Sequence, residues 1–305
     1  SACYHGDGII YEKLNVTGGQ ARSHLEDEFT FDEGIHVMHT KNRYILYLME
    51  ELGVGMDVRE RNAWIVSHNS ITRYPFQANT YGLPVEIVKD CILGFVENRF
   101  TNKEDVKNYE DWLYFMFGEG IANHFMIPYC QKFWGVAAKD LTTDWVNVRH
   151  PKPSTEEVVT GALMNQSKGF GINAVYRYPK LHGYGNIGKC LADKCKDRIF
   201  TGMEATQINV QKREIKFNDE KFIPYNKILS SLPLPELIKI IPDAPEEVRD
   251  AVSKLRTNSM FVVNIGVNRE KVSEKNWIYF LEKEYPFVRV SFPSNQSDNV
   301  APVGM

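Results

Sequence analysis

One feature near the start of the chain limits its possible folds more than any other. It is a short apolar strand that ends in an acidic residue and is soon followed by two adjacent glycines. The run Ile9-Ile-Tyr-Glu12 has the continuous apolar character of a buried parallel strand. Gly18 and Gly19 then supply backbone conformations that other residues avoid. In dinucleotide-binding βαβ units, a carboxylate at the end of the second strand accepts a hydrogen bond from a ribose hydroxyl. Glu12 is therefore a candidate ribose contact, although strands that end in glutamate are also common in other α/β proteins.

The glycine-rich phosphate turn of such a unit should precede its acid by about 20 residues, a position that lies before Ser1. The chain opens on Ser1-Ala-Cys rather than on methionine, and residues 294–305 have the character of a loop. We therefore expect this sequence to be a piece of a longer gene product.

Composition excludes several classes of function. The 305 residues are 43% hydrophobic and 25% charged, with 36 Lys+Arg against 39 Asp+Glu. A net charge near −3 gives no electrostatic basis for a nucleic-acid partner. No apolar run approaches the ~20 residues of a membrane helix, the five cysteines match no zinc spacing, and His36-x-x-His39 lacks a third ligand. We expect a cytoplasmic globular protein without a metal site or membrane insertion.

Apolar periodicity divides the remaining chain into helical and strand-forming stretches. Helical spacing is present in residues 42–52, 84–145, 187–193 and 235–256. Strand-like patterns are present in residues 63–77, with a turn at Ser67–Ser70, and in residues 206–229, 260–266, 277–280 and 287–292. This order predicts an α/β nucleotide-binding unit with helical and sheet insertions.

Two motifs near the start resemble a known superfamily. Glu12-Lys-x-x-x-x-Gly18-Gly19-x-Ala21-Arg22-Ser23 is followed by Phe31-Asp32-x-Gly34-x-His36. Together they resemble the segment after the Rossmann turn in FAD-dependent flavoproteins of the amine-oxidase type, which include amine oxidases, porphyrinogen oxidases and UDP-galactopyranose mutases. In that superfamily the glycine pair lies along the flavin pyrophosphate, which backbone N–H groups can approach because no side chain intervenes.

The rest of the chain is similar to one of these families, the UDP-galactopyranose mutases, and especially to their eukaryotic-type branch. The matching motifs occur in collinear order along essentially the whole chain. They are Tyr74-Pro-Phe-Gln77-x-Asn79, Phe125-Met-x-Pro-Tyr129, Lys132-x-Trp134, Trp145-x-x-x-Arg149, Gly171-x-Asn173-Ala-x-x-Arg177-x-Pro179, Trp277-Ile-Tyr279-Phe280 and Pro286-Phe-x-Arg289.

The resemblance implies an FAD-dependent isomerase of cell-surface glycan biosynthesis. Such an enzyme interconverts UDP-galactopyranose and UDP-galactofuranose through an adduct between flavin N5 and the sugar, and it needs reduced FAD, hence an external reductant such as NAD(P)H. The implied fold has an incomplete Rossmann-like FAD-binding portion at 1–58 and 180–237 and a helical domain at 80–145. An antiparallel-sheet substrate domain is implied at 59–79, 146–179 and 238–292, and the oligomeric state stays open.

The resemblance also implies roles for individual residues. Arg149 and Arg289 match the arginines that hold the substrate diphosphate, which two guanidinium groups can neutralise, and His36 matches a loop histidine beside the flavin. The residues matched to substrate binding are Tyr74, Gln77, Phe125, Asn173, Trp277 and Tyr279. Those matched to cofactor binding are Glu12, Gly18, Gly19, Arg22, Ser23 and His36. Ordinary ion pairs for the arginines, core packing for the aromatic residues and a structural role for the histidine remain open.

Three positions depart from the family pattern. Ile35 replaces a second glycine before the loop histidine, Cys130 replaces an asparagine, and His182 replaces glycine or a small residue. The phosphate turn and the family's C-terminal third, with its substrate-binding tyrosines, are also missing. We therefore expect the fragment to bind FAD weakly and to be inactive on its own, so that the activity belongs to the parent protein.

Two alternatives to the mutase hypothesis stay open. A flavin oxidase or dehydrogenase for an amine or porphyrinogen would share the glycine motif without needing two diphosphate-binding arginines. A degenerate, noncatalytic nucleotide-sugar binder would account for the departures at Ile35, Cys130 and His182.

Overall fold

The architecture is taken from a computed structural model that describes residues 6–98, 102–146, 152–166, 174–218 and 221–304. Its strands are β1 (Ile10–Tyr11), β2 (Ser23–Glu26), β3 (Phe29–Asp32), β4 (Met56–Glu60), β5 (Ala63–Ser67), β6 (Ser70–Arg73), β7 (Val175–Pro179), β8 (Ile199–Phe200), β9 (Ala205–Asn209), β10 (Glu214–Phe217), β11 (Phe222–Pro224), β12 (Trp277–Phe280) and β13 (Arg289–Ser291). Its α-helices are α1 (Arg43–Glu51), α2 (Val85–Val96), α3 (Tyr109–Ile121), α4 (Ile127–Trp134), α5 (Thr155–Leu163), α6 (Asn186–Asp193), α7 (Leu234–Lys239) and α8 (Glu246–Ser253). Within these ranges, no helix has the length and apolar character needed to cross a bilayer.

The strand at the start of the chain pairs as its apolar character predicts. β1 runs parallel to β8, with Tyr11 opposite Phe200. The predicted meander follows as the antiparallel sheet β9–β10–β11, but its third strand is Phe222–Pro224, and residues 225–229, where we expected that strand, form none. The predicted helix at 187–193 is present as α6, one residue longer at its start. This part of the chain therefore has the mixed parallel and antiparallel pairing of an α/β unit.

A four-stranded sheet in the order β13–β12–β5–β6 forms the second structural centre. The predicted hairpin is confirmed as β5 and β6, and its turn residues His68 and Asn69 have positive φ values of 50° and 54°. β12 runs parallel to β5 and antiparallel to β13. The sheet is therefore mixed, whereas we expected a wholly antiparallel one.

Glycines set the geometry of the helical region. α2 and α3 approach so closely that a Cβ atom on Gly118 would lie 1.8 Å from the carbonyl oxygen of Gly94. Gly118 has φ 72°, which interrupts α3, and a π-helical turn at Ala122–Met126 leads into α4. Leu113 and Phe117 are fully buried on this side of the core. The interruption and the π turn together determine which residues α4 presents to the four-stranded sheet.

Two predictions for the later part of the chain were wrong in detail. The stretch 235–256 divides into α7 and α8 because Pro242 and Pro245 cannot continue a helix through their positions.

Residues 260–266 form no strand, and Phe261 is 98% exposed. Their composition favours β structure, but a strand also needs a neighbour to pair with, and none is present in the described ranges.

Candidate functional site

Three tyrosines from separate elements meet beside the mixed sheet. The rings of Tyr74, just after β6, and Tyr279, on β12, lie 5.5 Å apart between centroids. Tyr129 on α4 lies edge-on to Tyr279 at 5.3 Å. Burial raises the pKa of Tyr74 to about 12 and holds the pKa of Tyr129 well above its usual range. Both phenols therefore remain protonated at neutral pH and can donate hydrogen bonds.

Two arginines accompany these phenols. Arg289 on β13 is the cross-strand partner of Tyr279, and its positive charge opposes the rise in the pKa of Tyr129. The Arg61 guanidinium lies over the ring of Tyr74, 4.6 Å from its centroid. Burial lowers the pKa of Arg61, while the neighbouring Tyr74 and Tyr279 oppose that shift. The cluster can thus offer positive charge together with neutral hydrogen-bond donors, a combination suited to an anion.

Arg61 and Tyr129 are site residues that sequence reasoning missed. Arg61 belongs to the run Arg59-Glu-Arg61, which has the charge pattern of a solvated strand end, and no spacing distinguishes it from a surface cation. Tyr129 is part of a motif that carries the family resemblance, so that motif was the available signal for its role.

Phe125 supports this cluster from within the core. It is 2% exposed and stacks against Phe76 at 4.8 Å on one side and against Tyr129 at 5.4 Å on the other. Phe133 continues the same row of rings beyond Tyr129. Because neighbouring rings cover Phe125, contact with a nucleotide base would require one of them to move. Its predicted role in substrate binding stays a prediction.

The other predicted substrate residues lie at varying distances from the tyrosine cluster. Gln77 is buried in the short turn Phe76–Ala78, three residues after Tyr74. Trp277 is buried against Tyr176, and its indole N–H has no hydrogen-bond acceptor among the residues that the structure describes. Arg149 and Asn173 lie outside the described residues. Of the two arginines expected to hold the diphosphate, the structure therefore describes only Arg289, and their pairing stays a prediction.

His36 lies in the loop between β3 and α1. Its ring stacks on Tyr184, with centroids 5.3 Å apart and an interplanar angle of 26°. Nδ1 lies 3.2 Å from the carbonyl oxygen of Gly34. Met260 covers Gly34, with its Cε 3.1 Å from where a Cβ atom would stand. The histidine is thus held in a defined orientation.

The three departures from the family pattern occupy different environments. Ile35 packs partly buried against the main core. Cys130 is buried inside the helical region, where burial raises the pKa of its thiol to about 11. His182 is exposed and has φ 62°, a conformation that strains a residue with a side chain.

The predicted cofactor residues Glu12, Gly18 and Gly19 follow β1 in the chain. Gly18 and Gly19 have φ values of 115° and 55°, and a Cβ atom on Gly19 would meet no atom within 4 Å. The Glu12 carboxylate is half-buried and accepts a hydrogen bond from the Leu14 amide at 2.9 Å. An open turn without side chains at Gly19 fits a phosphate, and the carboxylate of Glu12 fits a ribose hydroxyl.

The side chains of Arg22 and Ser23 are engaged within the protein. The Arg22 guanidinium pairs with Glu33 at 2.6 Å and holds the pKa of that carboxyl below its usual range. The Ser23 hydroxyl donates to Asp32 at 2.6 Å. Both residues therefore stabilise the hairpin of β2 and β3, and their predicted contact with a cofactor stays a prediction.

This chain belongs to the family of flavin-containing amine oxidoreductases, whose sequence pattern matches residues 6–304. Among the solved structures that it resembles is a UDP-galactopyranose mutase. A crystal structure of the reduced mutase is 28% identical, with a TM-score of 0.86 over 97% of this chain and 66% of that chain. The expected resemblance and the α/β flavoprotein fold are confirmed.

Two other solved structures share the fold at lower identity. An oxidoreductase from Methanosarcina mazei is 12% identical, with a TM-score of 0.59 over 96% of this chain and 70% of its own. A fatty acid isomerase from P. acnes is 13% identical, with a TM-score of 0.52 over 91% of this chain and 64% of its own. At these identities the likeness extends to the fold alone.

Proposed function

We propose that this chain supplies the substrate-binding cluster of a flavin-dependent isomerase that interconverts UDP-galactopyranose and UDP-galactofuranose. The observation that carries the proposal is the meeting of Tyr74, Tyr129 and Tyr279 with Arg61 and Arg289. This cluster occurs in a chain that superposes on a reduced mutase over 97% of its length.

The cluster has the chemistry needed to hold a nucleoside diphosphate. A guanidinium group can contact two phosphate oxygens at once, and charge-assisted hydrogen bonds are about twice as strong as neutral ones. The protonated phenols of Tyr74 and Tyr129 add neutral donors without adding negative charge. Burial of Tyr279 lowers the local dielectric and strengthens each of these contacts.

The same groups assist departure and return of the UDP group. Reduced FAD, when bound near Glu12, Gly18 and Gly19, supplies a nucleophile for the anomeric carbon of the sugar. Arg289 stabilises the negative charge that develops on the diphosphate as the bond to the sugar breaks. The diphosphate contacts then keep UDP in place until it bonds to the sugar again. The aromatic rings of the cluster limit access of water to the sugar while its ring is open.

The decisive experiment uses the full-length protein that contains this chain, loaded with FAD. We expect the reduced protein to convert UDP-galactofuranose into UDP-galactopyranose, as followed by chromatography, without stoichiometric consumption of reductant. The same preparation with oxidised flavin is the control and should be inactive. Failure of the reduced, FAD-loaded protein to equilibrate the two sugars would exclude the mutase function.

The family match favours one second candidate, oxidation of an amine. Amines are cationic at neutral pH, and a partly buried cluster that holds Arg61 and Arg289 repels a cation. We therefore rank this function second. Peroxide formation with an amine substrate, unchanged in an Arg289→Ala variant, would support it over the mutase.

A further inference from the structure

The carboxylate of Asp32 joins its own hairpin to two residues that lie 146 and 152 positions later in the chain. Its Oδ1 accepts hydrogen bonds from the Ser23 hydroxyl at 2.6 Å and from the Tyr184 amide at 3.0 Å. Its Oδ2 accepts one from the Tyr178 hydroxyl at 2.7 Å. The hairpin of β2 and β3, the strand β7 and the turn before α6 are thereby held together at one side chain.

The turn that contributes Tyr184 has little room to move. Gly183 has φ 68°, and a Cβ atom there would lie 2.5 Å from the Ser23 hydroxyl and 2.7 Å from the Asp32 carboxylate. The Gly185 amide donates to the Ser23 hydroxyl at 2.8 Å. The backbone on both sides of Tyr184 is therefore fixed to the hairpin.

Fixing that backbone also fixes the ring that contacts His36. Asp32 holds Tyr184 through its main-chain amide, so the aromatic ring is left to make its own contact. The ring stacks on His36 at 5.3 Å and also lies 6.3 Å from the ring of Tyr178. The hydrogen bond from Tyr178 holds the opposite oxygen of the carboxylate, which prevents its rotation about the Cβ–Cγ bond.

We infer that Asp32 is a positioning residue, which sets the orientation of His36 on the flavin side of the site through the turn at 183–185 and the ring of Tyr184. This inference rests on the proposed function for its consequence in catalysis, since His36 matters there only if it faces the flavin. The positioning itself is a property of the chain without cofactor or substrate, and it is tested in that form.

The test is NMR spectroscopy of the full chain without flavin. The His36 ring proton is assigned with a His36→Gln variant, because the chain holds eight histidines. Hydrogen exchange of the Tyr184 and Gly185 amides is measured in the same samples. Stacking on an aromatic ring displaces the His36 signal from the position of a free imidazole, and an amide held by a buried acceptor exchanges slowly.

Variants of Asp32 and Tyr184 distinguish an effect on the orientation of His36 from a general loss of stability. We expect Asp32→Ala to move the His36 signal to the free position and to speed exchange of the Tyr184 amide by at least about tenfold. Asp32→Asn keeps an acceptor oxygen and should retain most of both properties. Tyr184→Leu should move the His36 signal while the amide stays protected, whereas Tyr184→Phe should change neither. Asp27→Asn, an exposed change in the same hairpin, is the matched control.

A purely structural role for Asp32 would give a different result. An unmoved His36 signal in the folded Asp32→Ala chain, with a freely exchanging Tyr184 amide, would overturn the inference. If Asp32→Ala does not fold, Tyr184→Leu decides alone: an unmoved signal there overturns it. These outcomes do not depend on mutase activity, so failure of this inference and failure of the proposed function can be told apart.

Discussion

Tyr279 and Arg289 lie directly opposite each other on the antiparallel strands β12 and β13. Cross-strand partners have their Cβ atoms about 5 Å apart on the same face of a sheet. The phenol of one and the guanidinium of the other are therefore placed side by side by backbone pairing rather than by a loop. This arrangement gives the candidate site a rigid base.

Replacement of Arg289 tests the diphosphate contact. We expect Arg289→Ala in the loaded full-length enzyme to lower kcat/KM by about 10²- to 10³-fold, as removal of an oxyanion donor does. Arg289→Lys should recover only part of this loss, because an ammonium group cannot contact two oxygens in one plane. Steady-state kinetics with UDP-galactofuranose measures both effects.

The matched control is Arg269→Ala, which removes an exposed arginine from the same chain. Its kcat/KM should equal that of the wild type. Equal rates for the wild type and both Arg289 variants would mean that this arginine has a structural role only.

The buried phenols predict a loss of stability at alkaline pH. Burial raises the pKa of Tyr74 from 10.0 to about 12, so the folded state holds this proton more tightly than the unfolded state. Its contribution is complete below pH 10 and is lost as the pH rises from about 10 to about 12. Thermal unfolding midpoints measured across this range should fall more steeply in the wild type than in Tyr74→Phe.

The ionisation of Tyr74 can also be followed directly in the same samples. Absorbance near 295 nm should show that one tyrosinate fewer forms late in the titration of Tyr74→Phe than in the wild type. A deficit that is already present near pH 10 would show that Tyr74 ionises as an exposed phenol does.

The contact between α2 and α3 predicts that Gly118 tolerates no side chain. Gly118→Ala combines a positive φ of 72° with a Cβ atom 1.8 Å from the Gly94 oxygen. We expect it to lower the free energy of unfolding by more than about 3 kcal/mol, in the range of severe core substitutions. Urea denaturation of the chain measures the change.

Gly135→Ala separates the clash from the backbone strain. Gly135 has φ 70°, but a Cβ atom there would meet no atom within 4 Å. Strain alone should cost about 1 kcal/mol. Similar losses for the two variants would contradict the close approach of the helices.

Local signals predicted local structure well. Asn42 caps α1 by accepting a hydrogen bond from the Tyr44 amide, and residues 42–52 were expected to be a helix. The acid-ended run gave a parallel strand that finishes just before Glu12. Short-range features of this kind are set by residues within a few positions of each other, so a single sequence contains them.

The parts that could not be predicted depend on distant partners. The contact of Asp32 with Tyr184 spans 152 positions, and no periodicity encodes it. Arg61 joins the site because β12 and β6 bring two tyrosines to it. Residues 260–266 have strand-forming composition, yet pairing depends on a neighbour that composition does not specify. Tyr74, Tyr279 and Arg289 were predicted as site residues from the family resemblance. Their residue types alone do not distinguish them from ordinary core and surface residues.

The two buried tyrosines of β7 connect both sides of the site. Tyr176 contacts Trp277, and Tyr178 binds Asp32. Residues two apart on a strand point to the same face, so a slip of one position would turn both rings outward at once. A change that shifts this five-residue strand should therefore disturb the surroundings of Trp277 and those of Asp32 together.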